Sequence, residues 1–388
     1  MRYIKSLILK HFRNHDSTEV PFGPGLNLVF GTNGAGKTNV LEAIHYVCLG
    51  KSFLTTTDRH AVRRGADFFD LTATSVENDA PTTIRMTCVP GEGKRLFVNG
   101  APLERIADVL GRFPIVVHSP DDHALTAGAP EERRRFVDST LCQFRPAYTN
   151  HLIRYRRAVR QRNALLAEIR RRRAPVSSLD AWDHELVLHG AEIAAARSAF
   201  VREFEGYLLE AYRRLATVAE TPSLTYRPAG VERASSPHEF GQAYAARLAS
   251  SRRREIESMR TLVGPHRDEF VLALDDLELR RYASQGQHRT FGMALKLGEY
   301  SYLRERCATE PVLLLDDAFA HLDDGRTAAF ADLFAGVDFG QTIMTAASVE
   351  PLADVLRDRV GEGLRLIEVS DGRIADHADS SFAYRQTS

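Results

Sequence analysis

Apolar and polar positions alternate with a period of two near the start of the chain, and recur every three to four residues in its middle. Tyr3-Ile4-Lys5-Ser6-Leu7-Ile8-Leu9, Thr82 to Val89 and Arg95 to Val98 read as strands, with Pro90-Gly91-Glu92-Gly93 and Asn99-Gly100 as hairpin turns. Leu26 to Phe30 reads as a buried strand, and Val40, Leu41, Ile44 and Val47 behind it recur at helical spacing. From about Pro130 to Leu215 the period changes. Leu152, Tyr155, Val159, Leu166 and Ile169 share one face, as do Trp182, Leu186, Ile193, Ala196, Phe200 and Tyr207 after the break at Ala174-Pro175-Val176-Ser177-Ser178. This predicts two antiparallel helices burying one seam, too short for a long rod. Beyond about Thr261 the strand pattern returns, with Val312 to Leu315, Thr342 to Met344 and Leu364 to Val369, and the tail after about His377 reads as disordered.

The expectation is an α/β chain: a β-flanked lobe from 1–120 and 262–388, and an inserted helical lobe from 121–261. At 388 residues the chain exceeds the size at which a single core stops growing, which also favours two lobes. Its formal charge is zero, so attraction to a polyanion must come from locally segregated charge. Such a segment exists. Lysine occurs only at 5, 10, 37, 51, 94 and 296, yet between Arg133 and Arg173 thirteen arginines face two acids, Asp138 and Glu168. Cys48, Cys88, Cys142 and Cys307 lack the spacing of a zinc site or disulfide framework, and no apolar run approaches a membrane span. A soluble, cytoplasmic protein without a membrane partner is expected.

Gly31-Thr32-Asn33-Gly34-Ala35-Gly36-Lys37-Thr38-Asn39 fits G-x-x-x-x-G-K-[ST] between the strand and the helix that this motif requires. Its glycines let successive N–H groups turn to one anion, Lys37 reaches the terminal phosphates of ATP, and Thr38 offers a hydroxyl to Mg²⁺. Val312 to Leu315 delivers Asp316 and Asp317 at a strand end, where open α/β sheets bind ligands. Asp316 is the candidate Mg²⁺ carboxylate beside Thr38, and Asp317 the candidate that orients or deprotonates an attacking water.

Ser284-Gln285-Gly286-Gln287, opening a helical stretch that runs through Leu297, resembles the signature loop of ABC-type ATPases. Together with His11-Phe12-Arg13-Asn14, the stretch Gly128 to Asp138, Gly264-Pro265-His266-Arg267-Asp268 and the Asp316-Asp317 strand end, the chain resembles the RecF family of recombination and repair ATPases. The resemblance implies an ABC-type ATPase head with an inserted helical lobe and no long coiled coil, and a signature loop (283–290) at the lobe junction. It also implies an ATP-dependent head-to-tail homodimer in which Ser284 to Gln287 act in trans on the nucleotide held by the partner's P-loop. Members of the family bind double-stranded DNA and help load RecA with RecO and RecR. The arginine block supplies candidate contacts to a duplex backbone, Arg133, Arg134, Arg135, Arg154, Arg156 and Arg157, and its sparse aromatics favour a duplex over a single strand.

Some positions depart from the wider ABC pattern. Asp317 stands where transporter subunits carry Glu, which implies slow hydrolysis. Ala320-His321 replaces the common Ser-Glu before Leu322-Asp323, and only Thr345 of the threonine run at the switch position is kept, leaving the γ-phosphate sensor open. A transporter subunit would lack the arginine-rich hairpin, a small-molecule kinase would leave Ser284 to Gln287 without a purpose, and an SMC-like clamp would need a longer coiled coil.

Overall fold

The computed structural model describes residues 2–216, 219–231, 234–307, 309–317, 339–349, 356, 358 and 363–376. The strand-rich N-terminal region forms β1 (Arg2–Phe12), β2 (His15–Pro21), β3 (Leu26–Phe30), helix α1 (Lys37–Leu49), β4 (Phe69–Glu77), β5 (Ala80–Val89), β6 (Gly93–Val98), β7 (Ala101–Pro102) and β8 (Ile115–His118). The middle holds α2 (His123–Ala127), α3 (Pro130–Cys142), α4 (Pro146–Arg170), α5 (Leu179–Leu215), β9 (Pro222–Arg227), α6 (Pro237–Ser258), β10 (Glu269–Leu274), β11 (Leu277–Glu278) and α7 (Leu279–Tyr282). After α8 (Gln285–Cys307) come β12 (Val312–Leu315), β13 (Thr342–Ala346), β14 (Leu364–Ser370) and β15 (Arg373–Asp376). Ala318 to Asp323 and the tail after His377, both singled out in the sequence, lie outside the described residues.

Packing divides the chain into two compact units, Met1–Pro120 with Leu303–Ser388, and Asp121–Tyr302. The first holds two six-stranded sheets. One is antiparallel, in the order β2-β1-β4-β5-β6-β7, and follows from the period-two alternation and the two hairpin turns. The other has the order β15-β14-β3-β13-β12-β8 and is parallel apart from β15. Its strands β3, β12 and β13 are buried throughout, which is why they read as unbroken apolar runs. Val40, Leu41, Ile44 and Val47 of α1 pack into the core that contains Val29, Leu314 and Ile343.

In the second unit α4 and α5 run antiparallel: Tyr148 meets Arg197, and Arg162, further along α4, meets Asp183, earlier in α5. Of the seam positions, Leu152, Tyr155, Leu166, Ile169, Leu186, Ile193 and Phe200 are buried, whereas Val159, Trp182, Ala196 and Tyr207 are half-buried. α5 is continuous over 37 residues, about 55 Å. The unit also contains residues 262–302, which the sequence pattern assigns to the first lobe. The cause is strand pairing: β10 bonds along its whole length to β9, from Glu269 opposite Arg227 to Leu274 opposite Pro222, so the returning strand pattern marks a three-stranded sheet of the helical unit. The boundary therefore falls at Tyr302, and the loop 283–290 belongs to the second unit.

Candidate functional site

Parallel pairing aligns the ends of β3, β12 and β13 at one edge of the sheet, with Phe30 opposite Ala346 and Leu315 opposite Met344. Three strand ends therefore deliver the P-loop, the Asp pair and Thr345 to one place. Thr38 Oγ1 donates to Asp316 Oδ1 at 2.9 Å, and Thr345 Oγ1 donates to the same oxygen at 2.8 Å. The Asp317 amide donates to Thr345 Oγ1 at 2.8 Å, so one threonine braces both aspartates. The sequence leaves the γ-phosphate sensor open at this position; the Thr345 hydroxyl itself positions carboxylates. Asp316 is 6% exposed, while Asp317 faces solvent from a left-handed backbone, φ 50°. Burial pushes the Asp316 carboxyl above its ordinary range, and the two threonine hydroxyls oppose the shift.

The glycines take conformations that side chains resist. Gly31 has φ 148° and lies so close to β14 that a Cβ would stand 2.1 Å from the Val369 carbonyl oxygen. Gly36, φ 113°, caps the N-terminus of α1, and a Cβ there would meet Asn14 Oδ1 and His15 Nε2 at 2.6 Å. Lys37 Nζ donates to the carbonyls of Gly31 at 2.7 Å and Thr32 at 3.0 Å, bending its cation over its own loop. Burial lowers its pKa.

The β1–β2 hairpin supports this loop, and sequence reasoning gave its residues no mechanical role. Asn14 Nδ2 donates to the Ala35 carbonyl at 2.9 Å, while Asn14 Oδ1 accepts from Asn39 Nδ2 at 2.8 Å. His15 Nε2 lies 3.2 Å from the Gly36 carbonyl oxygen, and its Nδ1 lies 3.2 Å from that of Gly372, in the turn between β14 and β15. Arg13 holds Glu42 of α1 through two bonds of 2.7 Å. The signal was His11-Phe12-Arg13-Asn14 itself, in which Arg13 takes positive φ in the tight turn and His11 does so within β1.

Ser284 to Gln287 stand at the head of α8 in the second unit. Gln287 N–H donates to Ser284 Oγ at 3.2 Å, and the Ser284 amide donates to Gln287 Oε1 at 2.7 Å, a reciprocal cap. Gln287 Nε2 also donates to Glu220 at 2.7 Å. Ser284, Gln285 and Gly286 are exposed.

The arginine block divides in two. Arg154 and Arg157 are exposed on α4. Arg156 is exposed but pairs with Asp138 at 3.1 Å, and Arg135 pairs with Glu132 at 2.9 Å. Arg133 is not a surface residue: it is 5% exposed and donates to the Gly128 carbonyl at 3.1 Å, because its place on α3 faces the interior. It is therefore not one of the exposed arginines that could lie along a duplex backbone. Arg134, half-buried, donates to the Asp268 carbonyl at 2.7 Å. Arg162 is wholly buried on Asp183 and Glu255, at 2.6 Å each.

The stretches Gly128 to Asp138 and Gly264 to Asp268 meet at a second buried arginine. Arg197 is 2% exposed and donates to Asp138 at 2.8 Å, Asp268 at 3.1 Å and the Pro265 carbonyl at 2.7 Å. Tyr148 donates to Asp138 at 2.5 Å, and Tyr226 donates to Asp268. Spacing could have located both arginines. Arg162 lies seven residues after Tyr155 and four before Leu166, and Arg197 lies between Ile193 and Phe200, each on its helix seam.

Among the described residues no helix is long and apolar enough to cross a membrane. A family model described as RecF/RecN/SMC N terminal domain matches residues 3–357. A DNA replication and repair protein RecF of Salinibacter ruber is 48% identical over 357 residues, covering 91% of this chain and 87% of that protein. Its counterpart in Chloroherpeton thalassium is 40% identical over 361 residues, covering 92% and 97%. A solved structure of the recombination mediator protein RecF with ATP, in the RecFOR pathway, superposes with a TM-score of 0.88 at 28% identity over 97% of both chains. An Smc head domain derived from Pyrococcus furiosus, 17% identical with a TM-score of 0.55, shares the fold. A P-loop and Asp pair on a parallel sheet, a signature loop at the head of a helix, and relatives alike over nearly the whole length lead to one assignment: the chain belongs to the RecF family of ABC/SMC-type ATPases.

Proposed function

We propose that the protein is an ATP-dependent recombination mediator that binds double-stranded DNA as a head-to-tail homodimer and works with RecO and RecR to load RecA at gaps or stalled forks. The observation that carries the nucleotide part is the convergence of the Thr38 and Thr345 hydroxyls on Asp316, beside the glycine loop of Lys37. ATP seats its phosphates against Gly31 to Asn39, where Lys37 exchanges two neutral carbonyls for phosphate oxygens. Mg²⁺ fits the donor set. Thr38 and Asp316 are hard oxygens, and this ion takes one or two protein ligands along with phosphate and water. When bound there it would neutralise charge on the β- and γ-phosphates. Asp317, exposed and held by its backbone to Thr345, is the residue to align a water and take its proton as the water oxygen bonds to the γ-phosphorus and ADP departs. Its short side chain suits slow, DNA-stimulated turnover.

Ser284 to Gln287 form a helix N-terminus, exposed at Ser284 to Gly286, in a unit without a phosphate loop of its own, which supports their use in trans on the partner's nucleotide. Arg154, Arg156 and Arg157, with Arg134 and Arg135 at their side in the block, are the proposed duplex contacts; they act on phosphates and read no sequence. The test is molecular mass by light scattering with and without ATP and a duplex. Mass should double with ATP for the natural chain, stay monomeric for Lys37→Met and remain doubled for Asp317→Asn. ATP-dependent doubling of Lys37→Met would overturn the reading.

A further inference from the structure

The second unit also holds a basic cleft that the nucleotide site does not use. On its sheet Arg227 of β9 stands opposite Glu269 of β10, and β11 leads into α7, which carries Arg280 and Arg281. These residues with Val271 and Glu278 line a cleft of about 440 Å³. A narrow inner pocket of about 10 Å³ shares Glu269, Val271, Glu278 and Arg280 with it and reaches inward to Thr126 and Arg133. That is room for one water-sized oxygen.

Two observations point to an anion. The first is charge: four guanidinium groups face two carboxylates. Glu278 pairs with Arg281 at 3.2 Å and Glu269 lies 3.7 Å from Arg133, so Arg227 and Arg280 have no carboxylate partner among the described residues. The second is Arg133, 5% exposed, whose Nε has no hydrogen-bond partner. A buried donor is costly when unpaired, and an oxygen entering the inner pocket would pair it. Burial lowers the pKa of Arg133, and Arg280 is close enough to add to that effect. Val271 is the one apolar residue of the outer lining, so an apolar ligand would gain little there. Guanidinium forks match phosphoryl oxygens in shape, and a surplus of two positive charges matches a dianion.

We propose that this cleft is a phosphoryl-binding site, in which Arg227 and Arg280 grip the group from the rim and Arg133 reaches one of its oxygens from below. Glu269 and Glu278 hold Arg133 and Arg281 in place. The ligand is a phosphate of a nucleic-acid strand or of a small phosphorylated compound.

The full chain, its P-loop filled with ADP and Mg²⁺, is titrated with inorganic phosphate by calorimetry at constant ionic strength. Lys37→Met is titrated in parallel, so that failure of the nucleotide reading leaves the result interpretable. Both should take up one phosphate per chain. Arg227→Ala combined with Arg280→Ala should bind it at least about tenfold more weakly, with an unchanged melting temperature since both side chains are exposed. Absence of saturable binding, or equal affinity in the double variant, would overturn the proposal. If a short duplex displaces the phosphate, the ligand is a strand phosphate; if phosphate binds but no duplex displaces it, the ligand is a small phosphorylated compound.

Discussion

The glycine loop of the first unit and the Arg197 network of the second are both dense polar clusters built from family-like stretches of sequence, and they serve opposite ends. Around Arg197 each charge is met by protein: Asp138 and Asp268 take the guanidinium and a tyrosine apiece. Around Lys37 the pairing is provisional. A cation rests on two neutral carbonyls, and among the described residues a buried carboxylate has only hydroxyls for side-chain donors. A cluster satisfied by itself specifies a packing, whereas one satisfied by weak substitutes is prepared for a ligand.

The largest break in this comparison should come from Arg197→Ala, which strands two buried carboxylates. It should cost about 3–5 kcal/mol in urea unfolding. A loss no greater than at a surface site would mean that the network is dispensable. Gly36→Ala probes the other cluster. A Cβ at φ 113° between Asn14 and His15 should cost about 1–3 kcal/mol in stability and most of the affinity for a fluorescent ATP analogue. Unchanged ATP binding would separate the loop from the phosphates.

Asp316→Asn should have the smallest effect on stability, and the opposite sign. The folded pKa of Asp316 is raised by burial, so its ionised form weakens the nucleotide-free fold above that pKa, and the penalty fades as pH falls through it. The variant should be more stable at neutral pH, by on the order of 1 kcal/mol, while losing ATP hydrolysis. The advantage should shrink towards acid pH in thermal melts. Lower stability at neutral pH would place Asp316 with the self-satisfied clusters.

The glycine loop, the Asp pair and the helix carrying Ser284 were legible because their chemistry is local: a few consecutive residues fix both conformation and role. Strands β3, β12 and β13 were legible from apolar runs alone. What stayed hidden depends on direction and partners. Nothing in an isolated run of arginines separates Arg157, facing solvent, from Arg133, turned inward beside a sheet whose first strand begins 89 positions later. The unit boundary was hidden for the same reason, since β10 resembles a return to the first lobe until its partner β9 is known. Thr345 was noticed as a remnant of a motif, yet its bonds to Asp316 and Asp317 depend on the register of β12 against β13.

The bond from His15 to the carbonyl of Gly372 has a consequence for synthesis of the chain. β3, among the first strands to leave the ribosome, lies between β13 and β14, which emerge more than three hundred residues later. Gly31 must then close against Val369, and the hairpin that steadies Gly36 is itself anchored at Gly372. Contacts this distant in sequence form slowly and late. The loop that grips phosphate is thus encoded near the beginning but takes shape near the end of translation, and a nascent chain interrupted before β14 has the motif without the grip.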